Sequence, residues 1–150
     1  MRLEEEIKQK QFTNEHEKLI INLLFTSNQF NASFNRTLKP YGISSQQFNI
    51  LRILRGQFPK AAPLKLITER MIDKMSNTSR LVEKLRQKGL VERHINPKNR
   101  REVAIIITSK GLELIKEASE ASTTEQQAYH DRLTEDEART LNGLLDKLRP

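Results

Sequence analysis

The chain has 150 residues, a length typical of one compact domain, and carries a formal net charge of +7. It contains no cysteine, which excludes disulfides, thiolate metal sites and thiol-based redox sensing. Its three histidines, His16, His94 and His130, lie far apart in the sequence and lack the spacing of metal ligands, so no metal or other cofactor is predicted.

The N-terminal segment, roughly residues 3–38, is predicted to be one long helix. Apolar residues from Leu19 to Phe34 recur at a helical period, and Pro40 ends the pattern. The acidic first ten residues are unlike a signal peptide, and the longest apolar run, residues 19–25, is shorter than the ~20 residues of a membrane span. We therefore expect a cytoplasmic protein that does not interact with membranes.

Three shorter helices are predicted in the middle of the chain. The first begins at Ser44, which forms a capping box with Gln47. The second covers about residues 64–71, and the third covers about 74–88 and ends at Gly89, where a left-handed cap belongs. The positions predicted to face inward from the first and third helices are Phe48, Leu51, Ile53 or Leu54, Phe58, Met75, Thr78, Leu81, Val82 and Leu85.

A hairpin and two further helices are predicted in the last third of the chain. Residues 90–94 are predicted to be a strand, and a turn-rich segment follows; residues 102–108, which are β-branched and apolar, are predicted to be the second strand. A long helix over about 109–132 follows, and a capping box of Thr134 and Glu137 begins the final helix. The chain has no internal repeat and no linker long enough to divide it, so a single domain is expected over its whole length.

The excess positive charge is concentrated in residues 74–101. That stretch holds nine basic and two acidic side chains, a difference of +7, and the rest of the chain holds 17 of each. A concentrated basic field on an otherwise neutral chain is typical of a protein that binds a polyanion. A solvated basic face without a partner is the alternative, but the coincidence with a predicted helix and hairpin favours nucleic acid.

The predicted order of helix, helix, basic helix, strand, basic turn and strand is that of a winged helix-turn-helix. A helix fits the major groove of double-stranded DNA, where Arg80 can pair with guanine and Asn77 with adenine. A basic turn can follow the phosphates or enter a narrow minor groove. An amphipathic surface helix and a solubilising hairpin tip are the alternatives. The candidate DNA-binding residues are Lys74, Ser76, Asn77, Ser79, Arg80 and Lys84 in the helix, and Lys98, Asn99, Arg100 and Arg101 in the turn.

Three segments together resemble the MarR family of bacterial transcriptional regulators: FNILRIL, MSNTSRLVEKLRQKGLVER and NPKNRREVAIIITSKG. The resemblance implies a mainly α fold with a small β-hairpin wing, in which residues 44–108 bind DNA and the long helices of residues 1–38 and 109–150 interlock in a homodimer. The family often has an aspartate two residues before the wing arginine, here Arg101. This chain has Asn99 instead, whose amide can still hydrogen-bond the arginine.

The same resemblance implies a pseudo-palindromic operator, usually bound by a repressor that a small ligand releases. A palindromic site requires a two-fold symmetric protein, and the candidate pairing surfaces are the leucine-rich first and last helices. Packing of those leucines within one chain is the alternative. In this family an effector commonly lies between the dimerisation helices and the winged region. The aromatic residues in those segments are Phe30, Phe34, Tyr41 and Phe48, for which core packing is the alternative.

Two other functions stay open at this point. A winged helix can serve as a protein–protein interaction module without sequence-specific DNA binding, although such a module does not require Arg80 and Arg101 together. An enzyme is the weakest reading of the sequence. The chain shows no nucleophile–base pair and no metal constellation, and its five glycines form no phosphate-binding loop.

Overall fold

The structure is a computed structural model that describes residues 1–150, with residue 96 described by its backbone only. The chain divides into two compact units, Met1–Arg36 and Thr37–Pro150. Within the described residues, no helix combines the length and the apolar character needed to cross a membrane. The fold is mainly α with a small antiparallel sheet, as the sequence predicts.

The N-terminal unit begins with two helices where the sequence predicts one. They are α1, Leu3–Glu6, and α2, Glu15–Leu38, whose last two residues belong to the larger unit. The side chain of Asn14 accepts a hydrogen bond from the Glu17 backbone N–H at 2.9 Å, and the Glu17 carboxylate accepts one from the backbone N–H of Thr13. This reciprocal capping begins α2. Before α2, Lys8 adopts a left-handed backbone conformation with a φ of 54°, which a right-handed helix cannot include. The prediction of one uninterrupted helix is therefore wrong.

The larger unit contains the remaining helices and the sheet. In chain order its elements are α3 (Ser45–Gln57), β1 (Ala62–Pro63), α4 (Leu64–Arg70), α5 (Thr78–Gln87), β2 (Val91–Asn96), β3 (Asn99–Ile107), α6 (Ser109–His130) and α7 (Glu135–Leu148). The strands form an antiparallel sheet in the order β1-β3-β2, with Ala62 opposite Ile105 and Val91 opposite Ile107. The sequence does not predict β1, because a two-residue strand that contains a proline resembles a loop.

Side-chain caps begin α3 and α7 where the sequence predicts them. The Ser44 hydroxyl accepts a hydrogen bond from the Gln47 backbone N–H at 3.2 Å. The Gln47 side-chain oxygen accepts one from the Ser44 backbone N–H at 3.0 Å. Thr134 and Glu137 form the same reciprocal pair at 3.3 and 2.8 Å. Both capping boxes are confirmed. The hairpin turn is shorter than predicted, because strand pairing continues to residues 96 and 99.

The core of the larger unit lies between α3, α4, α5, the sheet and the first half of α6. Its fully buried side chains include Ile50, Leu51, Leu54, Ile67, Leu85, Ile105 and Ile115. Two predicted inward positions are wrong. Phe58 is 47% exposed because it follows the last turn of α3, and Met75 is 92% exposed because α5 begins three residues after it.

Hydrogen bonds join the end of α5 to the beginning of α6. Gly89 adopts a left-handed conformation, with a φ of 71°, directly after α5. The Thr108 hydroxyl donates to the Gly89 carbonyl at 2.8 Å, and the Thr108 N–H donates to the Leu90 carbonyl at 3.1 Å. The Lys110 ammonium donates to the Lys88 carbonyl at 3.0 Å. These donors satisfy carbonyl groups that a helix end leaves without partners, and they fix α5 against α6.

Gly111→Ala is expected to lower the free energy of unfolding by about 1–3 kcal/mol through overpacking. A Cβ at Gly111 would lie 2.2 Å from the Leu90 carbonyl oxygen and 2.7 Å from Ile107 Cγ1, so the junction would have to open. Urea unfolding measures the loss. Gly143→Ala in α7 is the matched control, since no atom lies within 4 Å of its Cβ position and alanine favours a helix. Equal unfolding midpoints for Gly111→Ala and the wild type would contradict the close approach.

Candidate nucleic-acid interface

Helix α5 has a buried face and an exposed, basic face. Thr78, Val82 and Leu85 are buried, as the helical period predicts, whereas Ser79, Arg80 and Lys84 are exposed. Within the described part of the chain, the side chains of Arg80 and Lys84 form no hydrogen bond or ion pair. The exposed face therefore offers a hydroxyl and two cations to a partner, groups that suit base edges and phosphates.

The start of α5 differs from the prediction because Asn77 caps the helix. Its side-chain oxygen accepts a hydrogen bond from the Arg80 backbone N–H at 3.1 Å. Lys74 and Ser76 consequently lie in the turn before α5, and their predicted placement on the helix is wrong. The Lys74 ammonium donates to the Glu69 carbonyl. The Ser76 hydroxyl is buried and has no hydrogen-bond partner among the described residues, a position that does not favour contact with a base.

The capping bond also changes the interpretation of Asn77. A bidentate pair with adenine uses both the oxygen and the nitrogen of the amide. In this structure the oxygen is engaged with the backbone of α5. The contribution of Asn77 that the geometry supports is therefore to begin α5 and to hold the backbone of Arg80 in place.

The wing consists of β2, β3 and the turn of Pro97 and Lys98. Asn99, Arg100 and Arg101 are exposed at the beginning of β3. The Asn99 side-chain oxygen accepts the Arg101 backbone N–H at 3.2 Å, so the amide holds the backbone of Arg101 and not its guanidinium group. Among the described residues, the guanidinium groups of Arg100 and Arg101 have no hydrogen-bond or ion-pair partner. Two adjacent cations are thus presented at one end of the hairpin.

Packing places the wing next to α5. Helix α5 contacts β2 directly, and β2 pairs with β3 along its length. The predicted cations of the helix and of the wing therefore belong to neighbouring elements of one unit. Arg93, an exposed cation on β2, was not among the predicted site residues, although the charge run in the sequence includes it.

One ion pair offsets part of the positive field on α5. Arg86 donates to both carboxylate oxygens of Glu83, at 3.0 and 2.7 Å. The hydrogen bond from Arg86 lowers the pKa of Glu83, and the same bond raises the pKa of Arg86. Arg93 also lowers the pKa of Glu83 by a smaller amount. The pair stays ionised at neutral pH, so the field available to a polyanion comes mainly from the other cations.

A cavity of about 860 Å³ lies beside this ion pair, between the end of α5 and the wing. The residues that line it are Glu83, Arg86, Gly89, Val91, Glu92, Arg93, His94, Ile95 and Thr108. None of the four aromatic residues predicted for an effector site is among them. The cavity is bordered by charges of both signs, and the carboxylates of Glu83 and Glu92 balance the two arginines.

The predicted effector residues have different environments. In the smaller unit, Phe30 is exposed and Phe34 is half-buried. In the larger unit, Phe48 is buried in the core, and Tyr41 is half-buried with its hydroxyl 3.5 Å from the Glu117 carbonyl oxygen. Core packing accounts for Phe48. An effector site at these four residues stays a prediction.

Asn77→Ala is expected to lower the free energy of unfolding by about 1 kcal/mol, the usual cost of losing an N-cap. Asn77→Asp is the matched control, because a carboxylate caps a helix as well as an amide does. Urea unfolding distinguishes the two variants. If both were as stable as the wild type, the capping bond to Arg80 would contribute nothing to the start of α5.

Comparison with known proteins shows the family. A family model described as the MarR family matches residues 43–103. The HTH-type transcriptional regulator MgrA of Staphylococcus aureus is 32% identical over 136 residues, which cover 90% of each chain. The same fold occurs in the organohalide-sensing RdhR regulator in its 2,4-dichlorophenol-bound form, which is 20% identical with a TM-score of 0.82 over 94% of this chain and 85% of its own. It also occurs in the S. aureus MepR–DNA complex, 18% identical with a TM-score of 0.76 over 92% of this chain and 97% of that one. An identity of 32% across nine-tenths of both chains, together with the exposed basic helix and wing, makes this protein a member of the MarR family of DNA-binding transcriptional regulators.

Proposed function

We propose that the protein is a homodimeric repressor that binds a pseudo-palindromic operator through α5 and the wing and releases it when a small ligand binds. One observation carries the proposal: Arg80 on α5 and the two arginines of the adjacent wing, Arg100 and Arg101, are all exposed. None of their side chains has a hydrogen-bond or ion-pair partner among the described residues. In this proposal residues 44–108 bind DNA, and the flanking helices pair two copies of the chain.

The two elements have different roles on the duplex. Helix α5 is the element that fits the major groove, where a bidentate contact from Arg80 to guanine is worth ~1–3 kcal/mol of discrimination. The wing follows the sugar–phosphate backbone, and its Arg101 enters a narrow minor groove. Lys84 and Lys98 add contacts to phosphate, which raise affinity without reading sequence. A repressor of this kind works in the bacterial cytoplasm and requires no catalytic activity.

Affinity for a cognate duplex is expected to fall steeply with salt, since each phosphate that is neutralised adds about 0.9 to the log–log slope. Arg80→Ala should reduce the difference in binding free energy between cognate and random DNA by ~1–3 kcal/mol. Lys98→Ala should instead weaken binding to both duplexes by the same factor. Fluorescence anisotropy at several salt concentrations, with a duplex selected from random sequences, measures all three quantities.

The control is Lys10→Ala, which removes an exposed cation from the N-terminal unit and should leave the affinity and the salt slope unchanged. An affinity that does not depend on salt would favour the protein–protein interaction module. Unaltered discrimination in Arg80→Ala would contradict the placement of this side chain on base edges.

The homodimer is supported by apolar surface that each unit leaves exposed. In the smaller unit, α2 exposes Leu19, Ile20, Leu23 and Leu24; in the larger unit, α7 exposes Leu141, Leu144 and Leu148. None of the described residues of α7 is buried, so packing within one chain does not explain its leucines. Contiguous apolar faces of this kind usually mark an interaction surface. A second copy of the chain is the partner that the family relationship favours.

Sedimentation at micromolar concentration is expected to show a species of twice the 17.5 kDa chain mass. Leu24→Lys and Leu144→Lys should each shift the population towards monomer, because a charge buried at an apolar interface is costly. Ile72→Lys is the control, since Ile72 is also apolar and exposed but lies in the turn before α5. A wild type that sediments as a monomer at this concentration would contradict the dimer.

Release by a small ligand is proposed from the family resemblance and from one structural neighbour. The fold accommodates an aromatic ligand in RdhR, which binds 2,4-dichlorophenol. The residues proposed to line an effector site in this chain are Phe30, Phe34, Tyr41 and Phe48, of which Phe30 is exposed and Phe34 and Tyr41 are half-buried. The absence of cysteine means that the signal is not a thiol oxidation.

A further inference from the structure

Two large apolar side chains are exposed directly before α5. Ile72 is 85% exposed and Met75 is 92% exposed, and both lie in the turn between α4 and α5. This turn belongs to the winged region and lies outside the α2 and α7 surfaces proposed for pairing. Single exposed apolar residues are common, but two of them three positions apart, directly before the helix proposed to bind DNA, require an explanation.

The turn that carries these side chains is well ordered by hydrogen bonds. The Ile72 N–H donates to the side-chain oxygen of Asn49 on α3 at 2.8 Å. The Met75 N–H donates to the Asp73 carboxylate at 2.9 Å, and the Ser76 N–H donates to the Asp73 carbonyl at 3.2 Å. The backbone is therefore fixed before any partner binds. Little conformational entropy of the backbone would be lost when the two side chains are covered.

The position of the turn points to DNA as the partner. Met75 is two residues before Asn77, whose side chain bonds to the backbone of Arg80. In a helix-turn-helix protein, the N-terminal residues of the second helix are those that contact base edges. The flanking cations Lys74 and Arg80 complement a polyanion. These features do not suit an apolar protein surface.

Polar groups at the start of α5 are fewer than the sequence predicts. The Ser76 hydroxyl is buried, and the Asn77 oxygen is engaged in capping. Exposed apolar atoms occupy the neighbouring positions instead. The apolar group that bases present in the major groove is the C5-methyl of thymine, which aliphatic side chains contact. An apolar side chain in this place can therefore distinguish thymine from cytosine without a hydrogen bond.

We propose that Met75 and Ile72 recognise thymine methyl groups in the operator and so determine part of its sequence. The inference rests on the proposed function, since it requires that α5 enters the major groove. It adds a specificity-determining contact made by the turn before α5, in addition to the polar contacts of Ser79 and Arg80.

Replacement of thymine by uracil tests this contact, because uracil lacks only the C5-methyl and pairs with adenine in the same way. Each thymine of a selected duplex is replaced in turn, and binding is measured by fluorescence anisotropy. The wild type should lose about fourfold in affinity for each contacted methyl. Met75→Ala should bind the thymine duplex several-fold more weakly and show no further loss when its thymine becomes uracil. Ile72→Ala should behave in the same way at a different thymine.

Two further variants separate an apolar contact from a general disturbance. Met75→Leu keeps the apolar bulk and should retain the sensitivity to uracil, whereas Met75→Gln keeps the length with a polar end and should lose it. Leu133→Ala, an exposed apolar residue between α6 and α7, should respond to uracil as the wild type does. All variants should unfold at the wild-type urea midpoint, because the substituted side chains are exposed.

The outcomes distinguish this inference from the proposed function. A wild type that prefers its selected duplex but shows no loss with uracil at any position overturns the inference and leaves the proposed function intact. The same holds if both alanine variants keep the full sensitivity to uracil, or if Met75→Ala changes self-association alone. Failure of the wild type to bind any duplex in a salt-dependent way overturns the proposed function itself.

Discussion

Gly89 ends α5 in a left-handed turn. The carbonyl groups at this end of the helix have no partner within α5, and they accept hydrogen bonds from Thr108 and Lys110 at the start of α6. The approach is so close that Gly111 has no room for a side chain. At its other end, α5 is started by the Asn77 cap. Both ends of α5, the helix proposed to bind DNA, are thus held by contacts within the protein, so its orientation is determined before any DNA binds. A helix that contacts base edges in the major groove must be positioned accurately. The proposed interface therefore depends on the contacts that fix both ends of α5.

The side chains that hold the fold differ from those proposed to bind DNA. Arg80, Lys84, Arg100 and Arg101 are exposed and have no side-chain partner in the described residues, so their loss should cost little stability. The opposite holds for Gly111, which lies at a close approach of the backbone, and for Asn77, which caps α5. This division makes the function testable, because variants of the basic surface should fold normally while their DNA binding changes.

The structure also separates two kinds of exposed apolar surface. The leucines of α2 and α7 recur along whole helical faces, which is the pattern of a surface that pairs with another helix. Ile72 and Met75 form a small apolar patch on an ordered turn, and the residues between them are one acid and one base. A patch of that size is too small for a stable protein interface but large enough for one or two methyl groups. Size is therefore the basis on which we propose different partners for the two surfaces.

The sequence by itself determined the features that depend on neighbouring residues. The capping boxes of Ser44 and Thr134, the buried stripe of α5 and the concentration of charge in residues 74–101 are all local, and each is present in the structure. Even the break before α2 had a local signal in Asn14 and Glu17. That signal was outweighed by the helical period that follows it, from Leu19 to Phe34.

Only the tertiary structure decided which polar and apolar side chains at the start of α5 are available. The period of the helix places Met75 inside, but Asn77 caps α5 and moves Met75 into a turn that Asn49, on another helix, holds in place. The burial of the Ser76 hydroxyl likewise has no signal in the local sequence. Hydrophobic period reports which face of a helix is apolar and not where the helix begins. Exposure is a property of packing between elements, which no single segment of sequence contains.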